Sequence, residues 1–69
     1  MQPLDHFVAV VRTAREALGE VRMGYAIGRR TYDDMAAAAK ALSAAMYTYS
    51  AAKFPGIKPR RIPYQNLLR

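Results

Sequence analysis

The sequence predicts an all-α chain: an antiparallel helical hairpin over residues 1–54 and an extended, basic, proline-containing tail over 55–69, the whole oligomeric or docked on a larger partner. Three observations predict it. Leu4, Phe7, Val11, Ala14, Leu18, Val21 and Tyr25 step by three and four, and Tyr32, Met35, Ala39, Leu42, Met46 and Tyr49 do the same. Between the two rows lie Gly28 and Thr31, a helix stop and a helix start. After Pro55-Gly56, Pro59 and Pro63 recur too closely for a regular helix.

The first helix is expected to begin near Pro3, whose fixed φ suits the first helical position, with Asp5 complementing the positive end of the dipole. Gly19 and Gly24 each cost about 1 kcal/mol against Ala inside a helix, which makes Gly28 the better stop. Val21, Met23, Tyr25 and Ile27 also alternate with smaller or polar residues. That pattern suits a short strand or hairpin arm, so residues 20–32 have two readings, of which helix is the expectation.

For the second helix, Thr31 is the expected N-cap, and Asp33 and Asp34 sit at the positive end of the dipole. The helix should run to Lys53 or Phe54, where Pro55-Gly56 stops it. Ala38, Ala41, Ala45 and Ala52 flank its main apolar row, giving it more than one apolar stripe. A hairpin partner covers one stripe, so a second neighbour is expected, a symmetry mate or another protein.

The tail should be extended. Its prolines lower the entropy lost on docking, and Ile62, Tyr64, Leu67 and Leu68 are anchors that a merely solvated segment does not need. Phe54, Lys58, Arg60, Arg61, Ile62, Tyr64 and Leu67 are therefore the expected docking residues, as Leu4, Phe7, Val11, Leu18, Met35, Leu42, Met46 and Tyr49 are the expected helix interface. Deleting 55–69 should then leave the hairpin packed and remove partner binding.

With 69 residues there is room for one small domain, and chains of this size are marginally stable. The chain has no Cys and one His, so neither disulfides nor a structural metal are expected to reinforce it, which leaves burial against a partner. Residues 1–52 carry six basic and five acidic side chains, whereas 53–69 carry five basic and no acidic ones. A compact positive segment of this kind favours an acidic protein, phosphate or anionic lipid. The first residues lack the basic and apolar regions of a signal peptide, and residues 35–52 are too rich in Ala, Ser, Thr and Tyr for a spanning helix. The expected location is a virion or the cytoplasm.

No catalytic set is present, because there is no Cys, a single His and no Ser in a nucleophile motif. Neither catalytic residues, cofactor, metal nor small-molecule substrate are expected. Adjacent Asp33 and Asp34 diverge by about 100° around a helix and read as capping residues. Gly24, Gly28 and Arg29-Arg30 match no phosphate loop and read as an interhelical turn. Tyr47 shares a helix face with Lys40, Ser43 and Ser50, away from the heptad row, and has two readings, an exposed contact residue or a tyrosine lying flat over alanines.

Ala14-Arg15-Glu16-Ala17-Leu18, Gly28-Arg29-Arg30 and the basic run from Lys58 to Arg61 give a layout that resembles small phage virion proteins, in particular the lambda-type head-tail joining family. That resemblance implies a non-enzymatic part at the portal or neck of a capsid, its tail ordered by neighbouring subunits. The expectation is thus a structural or adaptor protein that packs through its helix faces and docks its tail on a neighbouring protein. Two alternatives stand beside it: a nucleic-acid-binding hairpin dimer, and a small inhibitor of a host protein.

Overall fold

Two long helices form the frame of this protein, and each ends where its local chemistry says it should. The computed structural model describes residues 3–69, in which α1 spans Pro3–Ala26, α2 spans Tyr32–Lys53 and a short 3-10 helix spans Tyr64–Leu68. Residues 20–26 are helical, which decides between the two readings of that segment.

α1 stops in a Schellman arrangement. Gly28 takes φ 76°, the Arg29 N–H donates to the Gly24 carbonyl (2.7 Å) and the Gly28 N–H to the Tyr25 carbonyl (3.1 Å). A Cβ on Gly24 would lie 2.5 Å from Arg30 Cγ, so the turn folds onto the helix at a point where no side chain fits easily. α2 then starts in a capping box: Asp34 N–H donates to Thr31 Oγ1 (3.2 Å) and Thr31 N–H donates to Asp34 Oδ2 (3.1 Å).

Leu18, Met35, Ala39 and Leu42 form the buried core, with Val11, Ala14, Val21 and Met46 packed around it. Leu4, Phe7 and Tyr49 are half-buried further along the hairpin. Ala39 has 0% exposure, the most deeply buried side chain of that core. At the turn end the row opens: Tyr25 and Tyr32 are exposed and meet edge to face, ring centroids 6.4 Å apart.

The tail departs from the expectation of an extended segment throughout. It leaves α2 through a turn in which Ile57 N–H donates to the Phe54 carbonyl (3.1 Å), and runs back along α2 to Pro63, whose φ of −59° and ψ of 134° are polyproline-like. Beyond Pro63 the run Tyr64-Gln65-Asn66-Leu67-Leu68 holds no proline, and it coils into the 3-10 helix with Asn66 N–H bonded to the Pro63 carbonyl (3.0 Å). This coil seats Tyr64, Leu67 and Leu68 against the core. One of the neighbours that the broad apolar face of α2 calls for is therefore the chain's own tail.

The backbone of α2 runs beside both α1 and the 3-10 helix, while among the described residues the backbones of α1 and the 3-10 helix do not come together. The three elements lie side by side with α2 in the middle, in a slab whose Cα extents are 43 × 25 × 14 Å. The longest extent is three times the shortest, so the body is elongated and flattened rather than round.

Candidate interaction surfaces

Three surfaces arise from this arrangement, and the first holds the tail. Lys40, Ser43 and Tyr47 follow one another at helical spacing along the edge of α2, and each takes one element of the returning chain. Lys40 Nζ sits 5.0 Å from the Tyr64 ring centroid, buried Ser43 donates its hydroxyl to the Ile62 carbonyl, and Arg61 Cζ sits 5.4 Å from the Tyr47 ring centroid. Of the two readings of Tyr47, open contact or packed ring, the structure has it half-buried beneath Arg61.

The predicted docking residues divide into two groups. Ile62, Tyr64 and Leu67 are half-buried, Tyr64 and Leu67 against the core. Lys58, Arg60, Arg61 and Phe54 face solvent, Phe54 at 50% exposure with Lys53 Nζ 5.5 Å from its ring centroid. The signal that pairs tail with helix, Lys40-Ser43-Tyr47, is visible in the sequence as a polar face; that it binds this chain's own backbone is not.

The second surface is a shallow groove of about 470 Å³ along the α1–α2 seam, lined by His6, Ala9, Val10, Ala17, Ala41 and Ala45 among others. It continues past Phe7, Ala44 and Thr48. No Asp, Glu, Lys or Arg lines it, and Val10 is exposed in it. A third hollow, on the opposite flank of α1 by the helical step, is lined by Val8, Val11, Arg12, Arg15, Glu16 and Tyr49 and is charged.

The electrostatics are divided along the chain. Residues 1–34 carry five basic and five acidic side chains, and residues 35–69 carry six basic side chains and no Asp or Glu, so the net charge of +6 lies beyond the first turn of α2, whose Asp33 and Asp34 belong to the balanced half. One carboxyl has a clearly shifted pKa. Asp34 is held below the usual carboxylate value, first by the Thr31 backbone N–H, then by the Thr31 hydroxyl, with a smaller contribution from Arg30. This carboxylate occupies the N-terminus of α2 in cis, beside Arg29 and Arg30.

Among the described residues no three His, Asp or Glu side chains gather to hold a metal ion. No helix among them is long and apolar enough to cross a membrane. No protein-family model, curated protein or solved structure matches this chain.

Proposed function

We propose that this chain is a non-enzymatic assembly subunit of the small virion type, which completes its core by laying the alanine-lined groove of its hairpin against a second copy of itself. The observation that carries the reading is a thin core beside an open apolar groove. Among the described residues the buried apolar side chains are Leu18, Met35, Ala36, Ala39 and Leu42, two of them alanines, which leaves a chain of this size marginally stable by itself. The groove supplies the surface to be covered: Ala9, Ala17, Ala41 and Ala45 let a facing helix approach closely, and Val10 adds apolar area. Its freedom from charge, and the neutrality of residues 1–34, remove the repulsion that two strongly basic surfaces would meet. The layout shared with head-tail joining proteins supports a virion setting for such a subunit. The apolar anchors of the tail are engaged on α2, so what the tail offers a neighbour is Phe54 and its cations.

Sedimentation equilibrium of the full chain tests this. The expected result is a dimer or larger closed assembly at micromolar concentration, and a monomer with unchanged helicity for Ala41→Lys, a change at an exposed helical position. A chain that sediments as a monomer up to millimolar concentration, or an Ala41→Lys variant that associates as the parent does, overturns the reading.

A further inference from the structure

The structure supplies a reason to reconsider what the basic tail meets. Protein interfaces draw their affinity from apolar and aromatic anchors in a core depleted of charge. Tyr64, Leu67 and Leu68 would be such anchors, but they pack on their own α2. What remains outward is a run of cations, with the exposed apolar side chains of Phe54 and Ile57 confined to the turn that leaves α2, and no acidic side chain in that half of the chain. Phosphate backbones need only that: cations and polar groups at the right spacing, with no apolar pockets.

One place on this surface has the form of a site. Lys40 and Arg61 together line a cleft of about 170 Å³ between α2 and the tail, with Ser43, Ile62, Pro63, Tyr64 and Gln65 completing it. Both cations are held over tyrosine rings, Lys40 on Tyr64 and Arg61 on Tyr47. A ring fixes where the charge lies without neutralising it as a carboxylate would. Two cations seated on rings rather than on carboxylates, lining one cleft with Gln65, offer charge-assisted donors to anionic oxygens. Lys58 and Arg60 are exposed on the same returning strand and extend the positive track beyond the cleft.

We propose that this cleft seats a phosphate of a nucleic-acid backbone, with Lys40 and Arg61 as its contacts and Lys58 and Arg60 contacting neighbouring phosphates. Binding is independent of base sequence, because no part of the site presents an edge-reading pair of donors and acceptors. The site lies on the tail side of α2 and does not depend on self-association through the groove.

The test is fluorescence anisotropy of the full chain with labelled 20-base-pair duplexes of two unrelated sequences, with a labelled polyglutamate peptide of equal charge as comparison. With four phosphate contacts, affinity for both duplexes should fall about 100-fold between 50 and 200 mM salt. The double variant Lys40→Gln/Arg61→Gln should leave only about a 10-fold fall over the same range. Because Arg61 also helps to hold the tail, Lys58→Gln/Arg60→Gln is the companion variant; its residues are exposed, and it should give the same reduced slope with an unchanged circular dichroism spectrum. Tighter binding of polyglutamate than of either duplex would make the partner an acidic protein and overturn the proposal. So would a salt slope near zero, or a slope unchanged in both variants.

Discussion

At the level of single residues, the turn between the helices is where local chemistry decides most. Gly28 takes a positive φ that costs an L side chain energy, and Gly24 gives the turn room, so the reversal is written into two glycines. Thr31 and Asp34 then start α2 by exchanging two hydrogen bonds. Thr31→Ala should cost about 1 kcal/mol, a fall in Tm of roughly 4–8 °C for a chain of this size. Asp34 adds a pH dependence of known sign. Its carboxyl is held below the ordinary value of 3.8, so the folded state favours the ionised form. The contribution is complete above the unfolded value and is lost as pH falls below it through the lower folded value. Thermal melts of the parent and Asp34→Asn should therefore differ in slope at the acid end and run parallel near neutrality; an acid limb equally steep in both would exclude the capping carboxylate as a source of acid lability. These features were legible because capping and helix termination are short-range: Thr31, Asp34 and Gly28 act on backbone groups within a few residues.

The elements were legible to a lesser degree. Periodicity placed α1 and α2, and it placed Leu18, Met35 and Leu42 in the core, since a three-four spacing puts residues on one helix face whatever they meet there. It does not say what lies on the neighbouring face. The run from Ile57 to Leu68 reads as a docking strand from its prolines and anchors, and that chemistry is indifferent to whether the dock belongs to another molecule or to the same one. The deciding details are long-range: Ser43 reaching Ile62, Lys40 reaching Tyr64, and small Ala36 and Ala39 leaving α2 approachable. The groove was partly foreseen in Ala41 and Ala45 and hardly at all in Ala9 and Ala17, which no heptad row selects. From this packing, Ser43→Ala should cost about 1 kcal/mol by leaving the Ile62 carbonyl without its donor, and Leu67→Ala about 1–2 kcal/mol by removing half-buried apolar area. Native-state hydrogen exchange should show both losses first in residues 57–69, with α1 amides changed only as far as global stability falls. Equal loss of protection in α1 and the tail would mean that the two are a single cooperative unit.

At the scale of the whole molecule, the governing fact is thinness. A radius of gyration of 13.3 Å exceeds the about 11 Å typical of a compact chain of this length, and the buried apolar core among the described residues comes to Leu18, Met35, Ala36, Ala39 and Leu42, two of them alanines. Such a layer gains little from each residue it buries, while the entropy of ordering every residue is undiminished. The tail enlarges the layer from two elements to three and supplies Tyr64, Leu67 and Leu68 to the core. Its removal is therefore a test of the architecture. If the tail were only a docking arm, a chain lacking 55–69 would melt as the full chain does. With the tail part of the packing, the shortened chain is a two-helix pair with the tail side of α2 open, and two helices of this length gain most of their stability from packing rather than propensity. Its melting, followed by circular dichroism, should broaden and move to lower temperature at micromolar concentration. Helicity should return as concentration rises, because association then covers the exposed apolar faces by mass action. A shortened chain with the parent's Tm at every concentration would show that the hairpin stands alone and would return the tail to the role of a separate arm.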